Sequence, residues 1–184
     1  MIIIIEGADG TGKTTLSKKL IEKLQAKYIH LTWSRELDVR MLEYQTEALI
    51  EAYEYVLNIN KPCIIDRHWI SELIYSKVFR HGTRMPGYGE IVEKFIEAIG
   101  GFTILCLSTN LEKHKQRYEL LKGNRIEMYT DVSEVVTLYN VFYNNVKTNK
   151  NYIKYEIEEE GRNIDEFVNQ IRDELNLRQG VRRF

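Results

Sequence analysis

Apolar and polar positions along the chain follow two periods, one of two residues or none and one of three to four. Ile2-Ile3-Ile4-Ile5 has no polar face and predicts a strand covered on both sides, as in a parallel sheet. Within residues 14 to 26, Leu16, Leu20, Ile21 and Leu24 fall at helical spacing with Lys and Glu between them. Tyr28 to Thr32 reads as a short strand, Leu37 to Ile59 as a helix and Pro62 to Asp66 as an extended run. Residues 68 to 79 and 90 to 99 read as helices, parted by a loop with Gly82, Pro86, Gly87 and Gly89 and closed by Gly100-Gly101. Phe102 to Leu107 is the next strand, 111 to 122 and 131 to 147 are helices, Tyr152 to Ile157 is a last strand and 163 to 176 a last helix. Alternating strands and helices predict an α/β fold, a parallel sheet with helices on both faces.

With 184 residues, 43% of them hydrophobic, the chain suits one domain, residues 1 to 177, followed by a basic, loosely held tail, residues 178 to 184, without an apolar period. A net charge of -1, from 26 basic and 27 acidic residues, excludes a general attraction to nucleic acid polymers or acidic membranes, so any basic site is local. Cys63 and Cys106 sit in strand-like runs as small hydrophobes, in keeping with a reducing, cytoplasmic setting. The N-terminal apolar run stops after four residues at Glu6, far short of a signal peptide or a membrane span. Homodimerisation is left open.

Gly7-Ala8-Asp9-Gly10-Thr11-Gly12-Lys13-Thr14 matches the phosphate-binding pattern G-x-x-x-x-G-K-[ST], with a strand before and a helix after. Glycines at 7, 10 and 12 let consecutive N–H groups turn inward, and the following helix adds its positive end. Lys13 places charge on the outer phosphates, and the Thr14 hydroxyl suits magnesium, which prefers oxygen ligands.

Asp66 ends the run Cys63-Ile64-Ile65 at the strand edge where open α/β sheets bind ligands, placed to hold a magnesium-bound water, orient an acceptor or cap the next helix. The planar fork of Arg67 suits an acceptor phosphate. A basic segment, Lys113, His114, Lys115, Arg117, Lys122 and Arg125, is broken by Gly123-Asn124 and reads as a lid at about residues 112 to 127, with Arg117 and Arg125 the candidates to stabilise a transferring phosphoryl group. His30, His68, His81 and His114 lack metal-ligand spacing. Among Trp33, Trp69, Tyr44, Tyr53, Tyr55 and Tyr75, all able to stack on a base, most are expected in the core.

Asp66-Arg67-His68-Trp69-Ile70-Ser71-Glu72-Leu73-Ile74-Tyr75 resembles the Asp-Arg-aromatic/His…Ser…Tyr motif of thymidylate kinases. Asn124-Arg125-Ile126-Glu127 resembles their lid segment, and Glu6 to Thr15 their P-loop. The resemblance implies a P-loop three-layer fold with a five-stranded parallel sheet, magnesium, and ATP plus dTMP giving ADP and dTDP. It makes Lys13 and Thr14 the ATP and magnesium groups, with Gly7, Asp9, Gly10, Thr11, Gly12 and Thr15 in the phosphate cradle and Asp66 beside the metal. Asp9 also falls to the acceptor sugar and Arg67 to the acceptor phosphate, with Ser71, Tyr75, Gln45 and Arg35 on the acceptor side and Arg125 as lid catalyst. Thr32-Trp33-Ser34-Arg35-Glu36-Leu37 keeps only Arg-Glu of the family's next motif, and Ser76 stands where a glutamine often follows the tyrosine, so the base stays open.

Two other functions share these motifs. A deoxynucleoside kinase uses a similar P-loop and lid, and a regulatory ATP- or GTP-binding module carries the P-loop without catalysis. Asp66-Arg67 favours the nucleotide enzyme, and Asn60-Lys61 and Asn149-Lys150 lack the Asp of guanine-specific switches.

Overall fold

The computed structural model of the chain describes residues 1–34, 36–80, 82–83, 85–122, 131–157 and 163–180. Five strands, β1 (Ile2–Gly7), β2 (Lys27–His30), β3 (Cys63–Asp66), β4 (Phe102–Leu107) and β5 (Tyr152–Glu156), form one sheet in the order β2-β3-β1-β4-β5, with every pair parallel. The helices among the described residues are α1 (Lys13–Leu24), α2 (Met41–Ile59), α3 (Trp69–Phe79), α4 (Tyr88–Ala98), α5 (Leu111–Lys122), α6 (Ser133–Val146) and α7 (Ile164–Gly180). A 3-10 turn, Asp38–Arg40, leads into α2.

The central strand is apolar at odd and even positions because both of its faces are covered. Ile3 and Ile5 pack with Leu16 and Leu20 of α1 and with Phe167 and Ile171 of α7. Ile2 and Ile4 pack with Ala48 and Ala52 of α2 and with Val92 and Ile96 of α4. A third cluster joins Leu105 and Leu107 of β4 to Ile70 and Ile74 of α3 and to Val135, Val136 and Tyr139 of α6. Cys63 and Cys106 are free thiols inside the sheet.

Several boundaries shift by a few residues, among them the helix expected from Leu37, which starts at Met41, and two of the shifts have a physical reason in the contacts. The strand expected to reach Thr32 stops at His30, because β3, its partner, ends at Asp66 directly opposite. The tail expected from Arg178 begins later, since α7 runs to Gly180. Arg178 donates to the carbonyls of Gly101 (3.1 Å) and Lys150 (2.8 Å) and to Glu174 (2.6 Å), and its guanidinium lies 4.9 Å from the Phe102 ring centre. A long cationic side chain can close carbonyl ends and cover a ring, a role that apolar periodicity does not register. Among the described residues no helix is long and apolar enough to cross a membrane.

The sheet brings Gly7, His30 and Asp66 to one edge, at the carboxyl ends of β1, β2 and β3. Chain order reverses about β1, so this edge is where a crevice opens. Ile4 is fully buried at its centre. Ile4→Ala should therefore cost about 2 to 5 kcal/mol of folding stability, read as a lower urea midpoint.

Candidate active site

The loop after β1 turns back on itself through three glycines with positive φ, Gly7 (152°), Gly10 (81°) and Gly12 (81°). At Gly7 a Cβ would lie 2.3 Å from the Cys106 carbonyl oxygen, so a side chain there would push β1 from β4. Gly12 adopts the left-handed conformation at the start of α1, which side chains adopt at a cost. Lys13 is buried, and its ammonium donates to the carbonyls of Gly7 (2.8 Å) and Ala8 (2.7 Å). Burial and the neighbouring Arg67 hold it below the ordinary lysine value despite the attraction of Asp9 and Asp66. Thr11 is buried, its hydroxyl donating to Ala8 (2.7 Å), whereas Thr14 and Thr15 are exposed on the first turn of α1.

At the end of β3 the backbone makes its own unusual turn. Arg67 has φ of 72°, and its N–H is tied to the Ile5 carbonyl at 2.8 Å. Asp66 is 1% exposed; its Oδ2 accepts from the Tyr28 hydroxyl (2.7 Å) and lies 3.5 Å from His30 Nδ1, while Oδ1 has no partner among the described residues. The Arg67 guanidinium pairs with Asp9, donates to Gly7 O (3.5 Å) and Ser71 Oγ (3.4 Å) and lies 5.2 Å from the Tyr75 ring centre. Tyr75 in turn donates to Asp9 Oδ2 at 2.9 Å. Burial by itself raises the Asp9 carboxyl, but Arg67 and Lys13 outweigh it and hold the group below its ordinary value.

Asp66 does not cap the next helix. Glu6 does: fully buried at the end of β1, its Oε1 accepts the N–H groups of His68 (2.8 Å), Ile70 (3.2 Å) and Ser71 (3.2 Å). Its Oε2 accepts from the hydroxyls of Ser71 and Tyr139. Burial pushes this carboxyl up, and the Ser71 hydroxyl and the helix N–H groups work against that shift. In the sequence Glu6 falls within the loop motif, although a carboxylate closing a fully apolar strand signals a buried partner set.

The loop's outer side is held by α5, where His114 Nε2 donates to Asp9 O (2.6 Å) and Arg117 Nε to Gly10 O (3.3 Å). Together these parts line a cleft of about 1060 Å³. The loop and Arg117 stand at one end; Trp33, Met41, Gln45, Glu72 and Arg80 stand at the other. Lys13, Asp66, Arg67, Ser71, Tyr75, Gln45 and Arg117 are thus brought together, while Arg35 and Arg125 fall outside the described residues. Of the aromatics singled out, Trp33 and Tyr75 reach the cleft, whereas Tyr53 packs on Phe95 (5.4 Å) and Trp69 on Phe142 (5.6 Å). The Glu72–Arg80–Asp38 ion network had no sequence signal, because its members come from separate elements.

No protein-family model matches the chain, and no curated protein matches it. Solved structures do. The YorR protein of Bacillus subtilis, in complex with phosphorylated GDP, superposes with a TM-score of 0.74 at 21% identity over 98% of each chain. A deoxyadenosine kinase of M. mycoides with bound dATP gives 0.64 at 17% identity, over 96% of this chain and 100% of that one. A shikimate kinase of Bacteroides thetaiotaomicron gives 0.51 at 18% identity, over 96% and 98%. The fold is that of P-loop kinases. At these identities the likeness reaches the architecture and nothing finer, so the resemblance to thymidylate kinases rests on the motifs alone.

Because Asp9 titrates below its ordinary 3.8 in the folded chain, it contributes stability that is present above that pH and is lost as pH falls through the folded value. Asp9→Asn should be less stable than the parent at pH 7 and should lose less on going from pH 6 to pH 3. Urea midpoints measured across that range would show a flatter acid limb for the variant.

Proposed function

We propose that the chain is an ATP-dependent kinase that transfers the γ-phosphoryl group to the phosphate of a deoxynucleoside monophosphate. The observation that carries this reading is the seat of Arg67, whose guanidinium is bonded to the loop residues Gly7 and Asp9 and faces the cleft. A planar fork beside a phosphate cradle suits a second phosphate, bound bidentately and presented to the first. Solved neighbours in complex with phosphorylated GDP and dATP support a nucleotide as ligand of this fold. Motif resemblance makes dTMP the first acceptor to test.

Transfer of a phosphoryl group asks the protein mainly for positioning and for charge. The N–H groups of residues 10 to 14 and the start of α1 would hold the phosphates of ATP. The Lys13 ammonium, already desolvated against two carbonyls, would exchange these for phosphate oxygens at a smaller cost than a hydrated amine. The exposed Thr14 hydroxyl and Asp66 Oδ1, without a partner among the described residues, are hard oxygen donors and fit a magnesium ion, which when bound neutralises charge on the β- and γ-phosphates. Arg117, bonded to the loop at Gly10, and the lid residue Arg125 would supply charge to the transferring group.

A second reading, phosphorylation of a nucleoside hydroxyl, draws on the same residue. Asp9 already neutralises one arm of Arg67, which suits an uncharged acceptor. Incubation with ATP and a panel of nucleosides and their monophosphates separates the two, since the proposed reading requires monophosphates to exceed their nucleosides in kcat/KM by about 10²-fold. Arg67→Ala should shrink that ratio while leaving ATP binding largely intact. Equal or better use of nucleosides would replace this reading with the second. Lys13→Ala, in a protein that still folds, should lower turnover on the order of 10²-fold or more.

A further inference from the structure

The far end of the cleft holds polar groups that neither folding nor phosphoryl transfer uses. His68, fully buried, points Nε2 at the Gln45 backbone carbonyl, 3.1 Å away. A carbonyl only accepts, so Nε2 carries the hydrogen and Nδ1 is a bare acceptor. Nδ1 has no hydrogen-bond partner among the described residues, and neither has Oε1 of Gln45, itself 3% exposed. Both residues line the cleft. Two bare acceptors at one site are costly unless a donor from a ligand meets them.

The surroundings fix the orientation of whatever enters. Arg80 is clamped between Asp38 and Glu72, each at 2.6 Å, and its guanidinium lies 5.0 Å from the Trp33 ring centre. That network holds the indole in place, with Trp33 Nε1 donating to Asp38 at 3.1 Å. The Arg80 Nε–H, on a residue that also lines the cleft, is buried without a partner among the described residues, which adds one donor. A flat heterocycle bounded by Trp33 and Met41 would find acceptors for an amino group and one donor for a ring nitrogen.

We propose that this end of the cleft selects an acceptor base with an amino group beside an unprotonated ring nitrogen, adenine or cytosine, over bases with a ring carbonyl there. Gln45 and His68 are the residues that read the amino group. This inference rests on the nucleotide-kinase reading for the position of the base, and it departs from the thymine that motif resemblance implies. Thymine, uracil and hypoxanthine would turn a carbonyl oxygen toward His68 Nδ1 and leave it unpaired, and Gln45 could meet that oxygen only with its amide turned over, a mismatch of the kind that discriminates.

The test uses isosteric pairs and the full chain. The ratio of kcat/KM for dCMP over dUMP, and for dAMP over dIMP, is expected to be about 10-fold or more. Gln45→Leu should bring both ratios toward one, and His68→Phe should shrink them. Ratios at or below one in the parent protein would overturn the inference while leaving the kinase reading intact. If no monophosphate were phosphorylated, the kinase reading would fall; calorimetric binding of the same four nucleotides would still decide the inference, by tighter binding of the amino member or its absence. If nucleosides proved to be the acceptors, deoxycytidine against deoxyuridine would carry the same comparison.

Discussion

The buried carboxylate of Glu6 is the tie on which the rest of the site depends. It sits at the end of the central strand and accepts three N–H groups from the first turn of α3 together with hydroxyls of Ser71 and Tyr139. A helix start leaves N–H groups unsatisfied and carries partial positive charge, so an anion placed there satisfies both at once. The result is a fixed distance between the phosphate loop, which begins one residue later, and the helix bearing Ser71, Glu72 and Tyr75. Without that anion the N-terminus of α3 would need water inside the protein, and the cleft would lose its definition between its two ends.

Charge around the loop is arranged in alternation. Lys13 faces Asp9 and Asp66, Arg67 pairs with Asp9, and the backbone carbonyls of Gly7 and Ala8 hold the lysine. Each cation is thus desolvated but not left alone, which leaves it ready to take an anionic ligand. On the outer side His114 and Arg117 tie α5 to the carbonyls of Asp9 and Gly10. The carbonyls of residues 7 to 10 are thus held by side chains of Lys13, Arg67, His114 and Arg117. That coupling also connects α5 to the geometry of the phosphate cradle.

Most of the architecture was legible in the sequence because burial on two faces and helical periodicity leave direct marks, as in Ile2 to Ile5 and in Leu16, Leu20 and Leu24. The phosphate loop was legible because its chemistry needs glycines and a lysine at fixed spacing. What could not be read came from contacts between distant segments. Glu6 meets Tyr139 across 133 positions, and Arg80 meets Asp38 across 42. Arg178, expected in a loose tail, anchors α7 through carbonyls 28 and 77 positions away. Such partners are set by the fold, so neither composition nor period announces them.

The turn at Asp66-Arg67-His68 explains how one short segment serves both ends of the cleft. In an extended strand Asp66 and His68 would share a face and Arg67 would point away from both. The left-handed conformation at Arg67 breaks that rule, at a cost that the N–H bond to Ile5 and the guanidinium contacts offset. Asp66 is left facing Tyr28 and His30, Arg67 crosses under the loop to Asp9, and His68 turns toward Gln45. A glycine at 67 would adopt the same backbone without strain but would give up the only side chain that joins β3 to the loop's carboxylate among the described residues. The strain is therefore tied to the charge: the residue that must carry a guanidinium into the cleft is also the residue whose backbone must turn to send its two neighbours in different directions.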